Sequence, residues 1–205
     1  MKKEIRAFDF EVRAEENEEH GHFLTGQPIV YNERTDMGWY DEIIDDGALA
    51  DTDLRDVRFL VNHNIDMIPL ARSRNNNTNS TMQLEVVPGA GLSIRVDLDT
   101  ENNAEAKSLW SAVGRGDITG MSFMFIADKD SWEDIGSEHP TRHIRSIQKV
   151  FEVSAVTFPA YSATSIQQRG LSEALDSAKE SLESERNRIK AIERRKQKIR
   201  ILSEV

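Results

Sequence analysis

The chain has no cysteine among its 205 residues, which excludes disulfides, thiolate metal sites and a cysteine nucleophile. Nowhere does it offer the run of about 18 apolar residues that a membrane-spanning helix needs. Its amino terminus, "MKKEIRAFDFEVRAEENEEHG", lacks the apolar segment of a secretory signal. The expectation is a soluble protein made and used inside a cell. A formal charge of −10 argues against general nucleic-acid binding, and no specific nucleic acid and no membrane is expected as a partner. Aromatic residues are few, yet three Trp and eight Phe are enough to build a core.

The charge is uneven. Residues 171–205 hold nine Lys/Arg against seven Asp/Glu, a net +2, so the first 170 residues carry −12. After Gly170 there is no Gly, Pro or aromatic residue. Two units are therefore expected, a domain over 1–170 and a charged helical tail over 171–205. In the tail Leu171, Leu175, Ala178, Leu182, Ile189, Ile192 and Ile199 recur at three- and four-residue steps, a heptad-like stripe interrupted by Glu185 and Lys196. Such a helix either docks on its own domain or serves association, with itself or with a partner.

The first 170 residues read as short strands with a few helices. "EIRAFDFEVR" and "GHFLTGQPIVYN" are strand-like, and "DVRFLVNHN", "STMQLEVV" and "GLSIRVDLD" alternate with period two. "VVPGAGLSI" carries the Pro and Gly of a tight connection. "DDGALADTDLR" suggests a short capped helix. "TENNAEAKSLWSAVGRGD" suggests a longer one, capped by Thr100 and ending at Gly114 or Gly116. Two long strands follow, "ITGMSFMFIADKDSWED" and "RHIRSIQKVFEVSAVTF". The expected fold class is α+β, mainly β, a curled sheet or barrel with peripheral helices and a long C-terminal helix.

Within "DITGMSFMFIAD" a single hydroxyl, Ser122, stands in an apolar run that reads as a strand buried on both faces. A buried hydroxyl without a partner costs roughly 1–3 kcal/mol. A neighbouring carbonyl would satisfy it; so would a general base, which a serine nucleophile requires. His63 ends the apolar face of "DVRFLVNHN", where a partly buried imidazole could serve as that base. A third group would hold the imidazole. Glu152, among apolar residues in "QKVFEVSAVTFPAY", and His143 are the two candidates. The pair His20 and His22 in "HGH" has no companion at metal-ligand spacing, and His139 precedes Pro140 in a loop expected to be exposed. No GxSxG elbow is present, so an α/β-hydrolase is not expected.

Taken in order, "GHFLTGQPIVYN", "EIIDDGALADT", "DVRFLVNHN", "PLARS", "GAGLSIRVDLD", "VGRGDITGMSFMF" and "EVSAVTFPAYSATS" resemble the prohead proteases of tailed phages. These are procapsid-maturation serine proteases with a fold similar to herpesvirus assemblin. The resemblance covers about residues 20–166; "VNHN", "GDITGMSF" and "EVSAVTFPAY" are its most specific blocks. Ala71 in "PLARS" and Leu49 in "GALADT" depart from the residues common in the family. The resemblance implies a serine endopeptidase with His63 as base, Ser122 as nucleophile and Glu152 as the acidic third member. It implies no metal and no cofactor. Backbone N–H groups near Pro159 to Tyr161 are candidates for an oxyanion hole. The implied substrates are scaffold, or the scaffold-like segment of the major capsid protein, and the protease itself, within the assembling procapsid in the host cytoplasm. An assembly or scaffolding protein whose protease site has decayed is the alternative.

Overall fold

The structure, a computed structural model, describes residues 3–8, 12–157 and 165–203. Two sheets carry the fold. The four-stranded sheet runs β2 (Val12–Asn17), β3 (Gly21–Val30), β9 (Gly91–Asp97), β8 (Met82–Val87). The seven-stranded sheet runs β1 (Glu4–Phe8), β10 (Gly120–Glu133), β11 (Thr141–Val156), β5 (Asp41–Ile44), β4 (Arg34–Asp36). Beyond β5, β11 also pairs with β6 (Arg58–Val61), which pairs with the short β7 (Ala71–Arg72). The architecture is mainly β, and of the two forms expected it takes the open one: the sheets do not close into a barrel.

Alternation places the core. Leu24, Ile29, Met82, Leu92, Ile94 and Val96 of the smaller sheet share one buried cluster with Phe59, Met121, Phe123, Phe125, Val153 and Ala155 of the larger. The turn expected between β8 and β9 is present, and Gly91 is required where it ends. Its φ is +132°, and a Cβ there would lie 2.0 Å from the Ile29 carbonyl oxygen.

Helix α1 (Ala104–Gly114) buries Ala106, Leu109 and Val113. It is capped by Asn103, whose side chain accepts from the N–H groups of Glu105 and Ala106, and not by Thr100 as expected. The short helix expected in "DDGALADTDLR" is instead a succession of turns, with Ala48, Ala50 and Thr52 N–H each donating to the carbonyl three residues back. Gly47, at φ +82°, interrupts helical geometry there.

Helix α2 (Ser165–Ser203) passes residue 170 without a break. Ala178 and Leu182 are buried against Tyr40 and Trp132, with Leu175 and Trp39 packed around them. Beyond this contact every residue from 186 to 200 is exposed.

Beneath the docked part of α2 lies a buried charge cluster. Arg6 pairs with Glu42 and, at 2.6 Å, with Glu4; Arg142 reaches Glu4 at 2.8 Å, Glu42 at 3.2 Å and Asp130 at 2.7 Å. Helix α2 adds Ser177, which donates to Glu4, and Ser181, which donates to Asp130. Burial pushes the Glu4 carboxyl up, but the Arg6 charge and the Arg142 hydrogen bonds outweigh it and hold Glu4 below its ordinary value. Burial also pushes the Tyr40 hydroxyl up.

Removing one cation from this cluster strands a buried carboxylate. Arg142→Leu is expected to cost about 3–5 kcal/mol in urea denaturation, and a loss under about 1 kcal/mol would contradict the account. Glu4 titrates lower when folded, so its stabilisation is present above its ordinary value of 4.5 and is lost as the pH falls below it. Denaturant midpoints measured down the acid range should fall accordingly.

Candidate active site

Strand β11 is the middle of the site. It lies between β10 on one side and β5 and β6 on the other, so Glu152 is 3% exposed rather than facing water from an edge. Antiparallel pairing sets Ser122 directly opposite Ser154, and Met124 opposite Glu152. Met121, Phe123, Val153 and Ala155 turn into the core cluster, so Ser122, Glu152 and Ser154 share the opposite face.

His63 arrives from the end of β6, which pairs in parallel with β11, Val61 opposite Ala155. It does not continue the strand, as its sequence pattern suggests. Asn62 and His63 both adopt left-handed backbone, φ +52° and +56°, which lifts the imidazole off the strand line and turns it over β11. Left-handed backbone is costly for most side chains but tolerated by Asn. The turn is held at several points. Asn62 N–H donates to the Ala155 carbonyl at 2.9 Å, the Asn62 side chain exchanges bonds with Thr157, and His63 N–H donates to Ser154 Oγ at 3.2 Å.

The three side chains form a continuous line. His63 Nδ1 is 2.6 Å from Glu152 Oε1, and His63 Nε2 is 2.5 Å from Ser122 Oγ. The second carboxylate oxygen, Oε2, accepts from Ser154 Oγ at 2.5 Å. A carboxylate oxygen accepts hydrogen bonds, so the tautomer that fits this line carries its proton on Nδ1 and turns the Nε2 lone pair to the serine. Ser122 Oγ also lies 2.7 Å from the Arg6 carbonyl on β1. Its one proton therefore has two acceptors, and the space beside the hydroxyl is filled from both sides. Ser122 and His63 are both fully buried.

A hydroxyl, an imidazole and a carboxylate in such a line can act chemically as nucleophile, base and the group that fixes the base. His63, Ser122 and Glu152 are thus brought together, whereas His143 stands apart. It lies nine residues from Glu152 along β11, about 30 Å at ~3.3 Å per residue, and its Nδ1 bonds Asp45 at 2.8 Å. His20 and His22 do not converge on a ligand set: His22 bonds Thr100 and packs on Trp110, while His20 lies beside Glu19. Exposed His139 bonds Asp41. The oxyanion-hole candidates Pro159 to Tyr161 lie outside the described residues. A neighbouring carbonyl was expected as one partner of Ser122, but the sequence named neither its owner, Arg6, nor Ser154. The step of two from Glu152 to Ser154 in "EVSAV" was a usable signal for Ser154; a backbone carbonyl leaves none.

The model of the caudovirus prohead serine protease family matches residues 8–179, so the chain belongs to that family. Its members are phage proteases of capsid maturation. Neither the curated proteins nor the solved structures contain a match.

The left-handed pair offers a direct test of the local geometry. Asn62→Val adds a β-branched side chain at positive φ and removes the Thr157 bonds; it is expected to destabilise by about 2–3 kcal/mol. Asn62→Gly, which keeps the backbone at ease, should cost less than half of that. Urea midpoints that rank the two variants the other way would refute the argument.

Proposed function

We propose that this chain is a serine endopeptidase that works within the assembling procapsid in the host cell. It cleaves scaffold or the scaffold-like segment of the major capsid protein, and also cleaves itself. The observation that carries the reading is the unbroken hydrogen-bonded line from Glu152 through His63 to Ser122. Ser122 Oγ attacks the scissile carbonyl as His63 Nε2 takes its proton. The tetrahedral intermediate collapses when the same imidazole returns that proton to the leaving amine, and water then hydrolyses the acyl-enzyme by the same route. Glu152 keeps the Nδ1 tautomer and stabilises the imidazolium. None of these steps needs a metal or cofactor.

Purified protein incubated with its capsid and scaffold proteins tests the assignment. Ser122→Ala or His63→Ala is expected to lower cleavage on the order of 10⁴-fold while the far-ultraviolet spectrum stays native. Glu152→Gln should impair the rate as well, through the wrong tautomer and the lost charge. Activity should decline on acidification, since an imidazolium accepts no proton. A folded Ser122→Ala protein that cleaves at the wild-type rate would refute Ser122 as the nucleophile, whereas folded wild-type protein that leaves those substrates uncut would favour a decayed site in an assembly protein.

The same reading divides the labour between a catalytic body, residues 1–170, and the tail, residues 171–205, which delivers it. Residues 186–200 carry eight basic side chains against one acidic, and Ile189, Ile192 and Ile199 along them are 37%, 41% and 67% exposed. A basic amphipathic arm suits an acidic helical surface on scaffold or capsid protein, or a second copy of the helix. A chain ending at Asn187 keeps Leu175, Ala178 and Leu182 docked. It is expected to remain folded and cleave peptides, yet to be missing from procapsids isolated after co-expression. Normal packaging of the shortened chain would remove the tail from this role.

A further inference from the structure

Ser154 does more than complete a strand. Its side chain is fully buried on the site face, directly across the sheet from Ser122. One hydroxyl there makes two bonds of opposite sense. It donates to Glu152 Oε2 at 2.5 Å and accepts the His63 N–H at 3.2 Å. The carboxylate is thus held by both oxygens, Oε1 on the imidazole and Oε2 on Ser154, which leaves its plane no freedom to rotate. Meanwhile the backbone of His63, held in left-handed geometry at φ +56°, has its N–H satisfied by the same atom. Ser154 therefore joins the base at its main chain to the acid at its side chain, and sets the distance between them.

We propose that Ser154 is a positioning residue of the reaction, acting through Glu152 and His63 without touching the reacting atoms. It is not a spare nucleophile. Both imidazole nitrogens are already engaged, Nδ1 by Glu152 and Nε2 by Ser122, and Ser154 meets only the main chain of His63. The inference rests on Ser122 as the nucleophile, and a displacement of even about 1 Å in such a line can lower the rate on the order of 10²-fold.

The test reads activation of the nucleophile without a known cleavage site, as the rate at which a fluorophosphonate labels the full-length protein. Ser122→Ala is the control; if it still labels at the wild-type rate, the nucleophile assignment fails and not the role of Ser154. Ser154→Ala is expected to label about 10²-fold more slowly, with a native circular-dichroism spectrum. Because Ser154 works through Glu152, adding Ser154→Ala to Glu152→Gln should slow labelling by under about 5-fold further, a non-additivity that a purely structural loss would not produce. Wild-type labelling by folded Ser154→Ala overturns the proposal, and so does full additivity with Glu152→Gln. If Ser154→Ala fails to fold, Ser154→Cys replaces it in the same cycle. It fills the same space with a weaker donor, and wild-type labelling by that folded variant overturns the proposal equally.

Discussion

The register of β10 against β11 is the constraint on which the rest of this molecule depends. Ser122 faces Ser154 only because the two strands pair as they do, and a slip of one residue would carry Ser122 to the opposite face. The apolar side chains defend the register. Met121, Phe123 and Phe125 on one strand and Val153 and Ala155 on the other enter the core together, so a slip of either strand would turn its apolar side chains out of that core and set its polar ones in their place. Core packing and site geometry are two outcomes of a single alignment.

Strand β11 is loaded at both ends. Near its start Arg142 anchors the charge cluster beneath α2, and near its finish Glu152 and Ser154 hold His63. The strand between is irregular, with register shifts against β10 between Met124 and Lys129 and again before Asp130. β1 spans the two regions. The Arg6 side chain belongs to the charge cluster, while its carbonyl touches the Ser122 hydroxyl. The placement of that carbonyl is thus tied to ion pairs at the far side of the same residue.

Legibility in the sequence followed chemistry more closely than backbone. Ser122 and Glu152 stood out because each interrupts an apolar alternation, and burial of both explains why the interruption was visible. Strands β8 and β9 were legible from period-two patterning, and β10 from an apolar run. His63 was found by residue type but placed on a strand face. Its left-handed turn has no hydrophobic signature, although the asparagines on either side of it are the residues that tolerate such backbone. The charge cluster was not legible. Nothing in the sequence marks Glu4, Arg6, Glu42 and Arg142 as a group, because the fold brings together partners 36, 100 and 138 positions apart. The turns at Asp46 to Asp51 were misread because Gly47 ends helical geometry just where the apolar spacing suggests it.

The spacing of the site along the chain governs when it comes into being. Ser122 and His63 are 59 residues apart, His63 and Glu152 are 89 apart, and the Arg6 carbonyl is 116 residues from the hydroxyl it touches. Contacts of such separation close late, after helices and hairpins have formed, because the loop entropy must be overcome first. On a ribosome, Glu152 and Ser154 emerge after Arg6, His63 and Ser122, and β6 finds its parallel partner in that same last-made strand. A growing chain therefore carries a serine and a histidine with nothing to align them. The order of synthesis itself keeps these side chains apart until the last strand of the body has been made.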